Sequence, residues 1–96
     1  MSSGRFRISQ TPLFGRKVKK FKKNEKEALD LQIRKIMIAP EIGSEKKGDL
    51  RGIRVHKYKF NRQELLLAYS IEADEILLIT IGSHENYYRD LKGYAK

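Results

Sequence analysis

The hydrophobic period of the chain changes near its middle, and this change constrains the fold more than any other feature. Residues 12–36 carry two apolar stripes at helical spacing, which predict two amphipathic helices. The stripes are formed by Phe14, Val18 and Phe21 and by Leu29, Ile33 and Ile36. Residues 53–60, 64–71 and 75–81 are extended runs with short connections, which predict an antiparallel three-stranded meander. This order is typical of an α+β fold with both helices on one face of the sheet and the other face open.

Capping signals set the expected bounds of the first elements. Residues 5–9 alternate in polarity and predict a short first strand. Thr11 is a suitable helix N-cap, and Pro12 suits the first helical position. Asn24 is predicted to cap the second helix, with Glu27 as its capping-box partner three residues later.

The remaining connections complete the predicted order. Pro40 and Gly43 are expected to end the second helix, and residues 41–52 to form a polar loop. Ser83 is predicted to cap a short C-terminal helix over residues 85–92. The expected fold is therefore an antiparallel β-α-α-β-β-β arrangement followed by one short helix.

The length of 96 residues indicates one domain that spans residues 1–96. Residues Met1 to Gly4 fit either a natural terminus or the remnant of an expression tag ahead of a start near Arg5. The chain has no cysteine and only two distant histidines, so no disulfide, metal site or other cofactor is expected. No signal peptide and no apolar run near the ~20 residues of a membrane helix is visible, so a soluble, cytoplasmic protein is expected.

A strong positive charge limits the classes of partner. The chain has 21 Lys and Arg residues against 12 Asp and Glu residues, a net charge of +9. Such a field attracts polyanions with salt-dependent affinity. Nucleic acid, an anionic membrane and an acidic protein are the candidate partners, and the alternative is a basic surface that only keeps the protein in solution.

The segment after the last predicted strand carries the strongest chemical signal. His84 lies just past residues 75–81 and Tyr88 follows four residues later, so both are expected on one face of the final helix. His84 is suited to proton transfer near neutral pH, and Tyr88 to stacking on a base. The alternative is an exposed histidine without a function, with Tyr87 or Tyr88 covering the edge of the core.

Two lysines on the first strand of the meander form the second signal. Lys57 and Lys59 point to one face, where two ammonium groups can hold a phosphate. Ile53 and Val55 fall on the same face, so either the strand emerges from the core midway or a bulge switches its faces. The alternative role for the lysines is to protect an edge strand from aggregation.

Further basic residues supply candidate contacts to nucleic acid. Residues 16–23 are densely basic, and here Lys19 and Lys20 are candidates for phosphate contact or simply part of a solvated helix face. A membrane-surface role is disfavoured because the small core needs the apolar stripe of this helix. Four arginines are added as candidates: Arg51, Arg54, Arg62 and Arg89. The sequence has no glycine-rich phosphate loop, Ser-His-Asp arrangement or carboxylate cluster, which excludes most familiar enzyme classes.

Four segments together resemble the RelE/ParE toxins of type II toxin–antitoxin systems. They are Gly48-Asp49-Leu50-Arg51-Gly52, Leu65-Leu66-Leu67-Ala68-Tyr69, the acidic turn Glu72-Ala73-Asp74-Glu75, and the tail 79–92 with its Gly-x-His-Glu-Asn-aromatic-Tyr-Arg-Asp-Leu-Lys pattern. The resemblance implies a sheet with two helices on one face and an antitoxin that wraps the toxin. For RelE-like members it implies metal-independent cleavage of messenger RNA in the ribosomal A site, by attack of the ribose 2′-hydroxyl on the adjacent phosphorus.

The resemblance also implies roles for individual residues. Lys57 and Lys59 match paired strand lysines that stabilise the phosphate. His84 matches the position expected to act as general acid, and Tyr88 matches an aromatic residue that orients the substrate. The chain departs from the pattern at Leu66, where an active-site arginine is expected. The general base stays open between Glu64, Glu85 and His56.

Three functions remain as alternatives. The first is a ribosome-dependent endoribonuclease, whose partners are the ribosome, messenger RNA and a cognate antitoxin. The second is a ParE-like inhibitor of DNA gyrase, a protein-binding module that the leucine at position 66 favours. The third is a nucleic-acid-binding domain without toxicity. An acidic, partly disordered antitoxin that folds on binding would suit the charge of the chain.

Overall fold

A computed structural model describes residues 6–94, except for the side chain of Tyr94, so the expectations for Met1 to Arg5 lie outside the described residues. Three α-helices and five strands follow one another along these residues. In chain order they are β1 (Arg7–Gln10), α1 (Pro12–Lys19), α2 (Lys23–Ile38), β2 (Ser44–Glu45), β3 (Ile53–Phe60), β4 (Gln63–Glu72), β5 (Glu75–Gly82) and α3 (His84–Tyr94). Short 3₁₀ helices at Pro40–Ile42 and Gly48–Leu50 flank β2. No helix within the described range is long and apolar enough to cross a membrane.

The five strands form one sheet in the order β1-β5-β4-β3-β2. The predicted meander is confirmed, because β3, β4 and β5 pair antiparallel along the sheet. The sheet is mixed rather than wholly antiparallel, since β1 pairs parallel to β5. The two-residue strand β2 was predicted as loop; its polar residues carry no strand pattern, and pairing with β3 defines it.

The predicted start of α1 is confirmed by its cap. The Thr11 hydroxyl accepts a hydrogen bond from the Phe14 N–H at 3.0 Å and donates one to the Ile79 carbonyl at 2.7 Å. The same side chain thus satisfies a free N–H of the first turn and ties the helix to β5.

The predicted start of α2 is wrong by two residues. The Glu25 carboxylate, rather than that of Glu27, reaches back and accepts from the Lys22 N–H at 2.7 Å. The helix therefore begins at Lys23 instead of after Asn24. Its predicted end is confirmed, because it stops at Ile38 and Pro40 opens the following 3₁₀ turn.

The sheet has an apolar core on each face. Helices α1 and α2 cover one face, where the buried residues include Phe14, Leu29, Ile36, Leu67 and Tyr69. The other face was expected to be open, but α3 and the turn at Gly48–Leu50 cover much of it. They bury a second cluster formed by Leu50, Ile53, Val55, Leu66, Ala68, Ile79, Tyr87 and Leu91. Because Tyr87 and Leu91 are four residues apart, they form one apolar stripe of α3.

Candidate functional site

The strand register brings Lys57 to the end of the sheet where α3 begins. Lys57 pairs with Leu66 on β4, and Leu66 pairs with Gly82, the last residue of β5. Neighbouring strands lie about 4.8 Å apart, so the Cα atoms of Lys57 and Gly82 are about 10 Å apart. His84 follows Gly82 by two residues and opens α3. The structure thus places Lys57 and His84 at the same end of the sheet.

The alternation of β3 puts both lysines on the face that α3 partly covers. Val55 is buried in the second core, whereas Lys57 and Lys59, two and four residues further on, are exposed. The ladder between β3 and β4 runs without a break, and the irregularity of the meander lies between β4 and β5. Strand β3 therefore emerges from the core midway along its length. This is the first of the two alternatives that the sequence left open, and no bulge is needed.

The two tyrosines of α3 have different surroundings. Tyr87 is buried in the second core, and its ring meets the His84 ring edge-on with centroids 5.6 Å apart. Tyr88 is 47% exposed, and Lys92 Nζ lies 5.1 Å from the centre of its ring. Tyr87 is therefore the residue that covers the core, and Tyr88 lies at the surface beside Lys92.

A polar cluster that the sequence did not reveal fixes α3 to the rest of the fold. The Asp90 carboxylate accepts a hydrogen bond from the buried Thr80 hydroxyl at 3.1 Å and another from Lys17 Nζ. These three residues, called the Asp90 clamp below, join α3, β5 and α1. A Cβ built on Gly82 would lie 3.6 Å from Lys17 Nζ, so this ammonium group also lies beside the end of β5. The clamp's only local sign in the sequence is Thr80, a polar residue within the apolar run of residues 76–81.

Leu66 fills the position at which the resemblance implies an arginine. It is almost fully buried and belongs to the second core together with Tyr87 and Leu91 of α3. This side chain packs beneath α3, so strand β4 offers no cation at the centre of this face. Glu64, two residues earlier on the same face, is exposed and pairs across the ladder with Lys59.

Arg54 lies on the other face of the sheet and has a structural environment. Its guanidinium donates hydrogen bonds to the carbonyls of Gly43 at 2.8 Å and Glu41 at 3.3 Å. It also lies 3.7 Å from the Glu45 carboxylate. These contacts hold the segment after α2 against β3, so Arg54 does not join Lys57 and Lys59.

The other candidate cations are distributed over the surface. Arg62 lies at the tip of the β3–β4 hairpin, beyond Lys59, where it and Asn61 adopt left-handed backbone angles. Arg89 is exposed on α3, and Lys19 and Lys20 are exposed at the end of α1. Arg51 is also exposed, but it precedes β3 and lies at the opposite end of this strand from Lys59.

His56 is separated from His84 by the sheet. Its ring faces α2, where Nε2 lies 2.8 Å from the Gln32 side-chain oxygen. Burial lowers the pKa of His56, and the nearby ammonium group of Lys35 lowers it further. Of the three side chains considered as general base, this placement leaves Glu64 and Glu85 on the side of His84. Within residues 6–94 no group of three or more His, Cys, Asp or Glu side chains is arranged to hold a metal ion.

Comparisons with known proteins identify a family from the sequence and a shared fold from solved structures. The sequence model described as ParE-like toxin of type II bacterial toxin-antitoxin system matches residues 8–92. A mutant of the Escherichia coli toxin RelE in the free state is 16% identical over 93% of this chain and 97% of its own, with a TM-score of 0.70. A chain of the intact E. coli RelBE toxin–antitoxin complex is 15% identical over 81% of this chain and 95% of its own, with a TM-score of 0.66. A conserved hypothetical protein from Helicobacter pylori is 22% identical over 83% of this chain and 96% of its own, with a TM-score of 0.58. No curated protein sequence matches significantly.

Proposed function

This chain belongs to the ParE-like toxins of type II bacterial toxin–antitoxin systems, and we propose that its toxic activity is cleavage of messenger RNA on the ribosome. One observation carries this proposal: the exposed lysines of β3 share a sheet face and a sheet end with His84. A phosphate held by Lys57 and Lys59 would lie within reach of an imidazole that can donate a proton.

The proposed reaction uses side chains of this chain in three roles. The ribose 2′-hydroxyl of the RNA attacks the adjacent phosphorus, which breaks the bond to the 5′ oxygen of the next nucleotide. Lys57 and Lys59 stabilise the charge that develops on the phosphate oxygens. His84 gives its proton to the departing 5′ oxygen. Tyr88, whose ring is exposed, stacks on a base beside the cleaved bond.

Glu64 is our candidate for the general base that takes the proton of the 2′-hydroxyl. Its side chain is exposed and pairs across the ladder with Lys59, on the face that carries both lysines. Glu85 also lies on this side, in the first turn of α3. A comparison of Glu64→Gln with Glu85→Gln identifies the general base. Only the variant that removes the base should lower the rate of RNA cleavage at saturating substrate.

A cognate antitoxin is the proposed protein partner. The E. coli relative was solved together with its antitoxin RelB, and a net charge of +9 suits an acidic partner. A disordered acidic chain that folds on this surface would neutralise the charge that otherwise attracts RNA.

The position of Leu66 favours a second candidate function, inhibition of DNA gyrase without cleavage. Leucine at this buried position removes one phosphate ligand from the face. In that case the basic surface would bind the gyrase protein, and His84 would have no chemical role.

Short induction in a bacterial host separates the two functions. The endoribonuclease predicts cuts within translated codons for the wild type and for Asn86→Ala, a control at an exposed neighbouring position of α3. It also predicts that His84→Ala abolishes those cuts. Growth arrest with intact messages and an induced DNA-damage response, unchanged in His84→Ala, would refute cleavage and support gyrase inhibition.

A further inference from the structure

Helix α2 carries a second apolar surface on the side that faces away from the sheet. Leu31 is 58% exposed and Ile38 is 79% exposed, and they are seven residues apart on one helix face. Ile42, in the 3₁₀ turn that follows, is 43% exposed. The core of the protein does not need these side chains, because Leu29 and Ile36 already pack α2 on the sheet.

Two cations lie between the exposed apolar residues. Arg34 and Lys35 follow Leu31 by three and four residues, which places them on either side of the line from Leu31 to Ile38. Arg34 also lies 3.1 Å from Asp30 in an exposed ion pair, a type of contact that exchanges readily with a better partner. A surface of this kind fits a helix with apolar side chains in its centre and carboxylates along its edges.

A second copy of the chain is a poor occupant of this surface. Each copy has a net charge of +9, and a symmetric contact would bring Arg34 and Lys35 of one copy towards the same residues of the other. Charge complementarity instead selects an acidic partner.

We propose that the outer face of α2, formed by Leu31, Ile38 and Ile42 with Arg34 and Lys35, binds an acidic amphipathic helix of the antitoxin. This inference rests on the antitoxin partner proposed above and is independent of RNA cleavage. Leu31 and Ile38 lie on the helix-covered side of the sheet, whereas Lys57 and Lys59 lie on the other side. Ile42, at the end of the α2 face, lines one surface depression together with Lys57. An antitoxin helix held by Leu31 and Ile38 would therefore be anchored on the side of the sheet opposite the two lysines, and only its end at Ile42 would approach Lys57.

The test is a binding titration with the full-length product of the reading frame beside the toxin gene. Leu31→Asp and Ile38→Asp are each expected to weaken binding by about tenfold or more, since apolar anchors dominate such helix contacts. Together they should weaken it by about 100-fold, because the two positions are far enough apart for their effects to add. Lys35→Glu should weaken binding and reduce its dependence on salt.

Matched variants control for charge and for the loss of an apolar side chain. Ile8→Asp replaces an isoleucine that is 37% exposed on the edge strand β1, and Lys47→Glu reverses a charge in the loop after β2. Both should bind within about twofold of the wild type. All altered residues are exposed, so the variants should unfold at the temperature of the wild type.

Three results would overturn the proposal. The first is binding by the α2 variants within twofold of the wild type. The second is a wild-type dimer that becomes monomeric in Ile38→Asp while antitoxin affinity is unchanged. The third is binding to anionic phospholipid vesicles that Leu31→Asp abolishes without an effect on the antitoxin. A toxin that cuts no RNA but loses antitoxin affinity in these variants would refute the proposed catalysis and leave this inference standing.

Discussion

Removal of the Asp90 carboxylate should loosen α3 and lower the stability of the whole domain. In Asp90→Ala the Thr80 hydroxyl, which is fully buried, loses its hydrogen-bond acceptor. A buried polar group without a partner costs about 1–3 kcal/mol. Loss of the ion pair with Lys17 adds up to about 1 kcal/mol, because the freed ammonium group can be hydrated again.

The total loss of about 1–4 kcal/mol corresponds to a fall in Tm of roughly 5–20 °C for a domain of this size. Chemical denaturation followed by circular dichroism gives the free energy of unfolding. Amide hydrogen exchange shows whether the residues of α3 open first. Asp90→Asn keeps an oxygen that can accept from Thr80, so it should lose about 1 kcal/mol, the contribution of charge alone.

A double-mutant cycle tests the reasoning directly. Thr80→Val removes the buried hydroxyl, so adding it to Asp90→Ala should recover stability rather than lower it further. The expected coupling between the two positions is about 1–2 kcal/mol. Additive losses in the double variant, or a change below about 0.5 kcal/mol in Asp90→Ala, would show that the clamp does not hold α3.

Three further predictions concern other residues of the fold. Leu66→Arg should destabilise the domain by about 3–5 kcal/mol, because it buries an unpaired charge beneath α3. An unchanged free energy of unfolding together with faster RNA cleavage would show that α3 leaves the sheet. Tyr69→Phe should cost about 1–2 kcal/mol in denaturation experiments, since its hydroxyl accepts from the Gly43 N–H at 3.0 Å and donates to the Pro40 carbonyl at 2.5 Å. The pKa of His56 is lowered in the folded state from the usual value of 6.5, so the unfolded chain binds the proton more readily and stability should fall as the pH drops below that value. His56→Gln should flatten that part of the stability profile, and an unchanged profile would contradict this assignment.

The spacing of apolar residues along the sequence was sufficient to predict the meander and both N-terminal helices. It was insufficient for β2, whose two polar residues become a strand only through pairing with β3. It was also insufficient for the parallel pairing of β1 with β5, which depends on how the chain returns to the sheet.

The candidate site was predictable where simple alternation decides the geometry. The same rule that aligns Lys57 with Lys59 puts Arg54 and His56 on the opposite face, as the structure shows. The stripe of Tyr87 and Leu91 was a signal that α3 would cover the expected open face. The contact of Asp90 with Lys17 joins residues 73 positions apart, and no local pattern predicts it.

The central claim, that this toxin cuts RNA with His84 as its general acid, is tested most directly with purified ribosomes carrying a defined message. A single-turnover reaction with the wild type should cut within the A-site codon and leave a 5′-hydroxyl on the downstream fragment. His84→Ala should slow this step by about 100-fold or more, while Asn86→Ala should cut at the wild-type rate. Absence of cutting by the wild type, or an equal rate in His84→Ala, would contradict the claim.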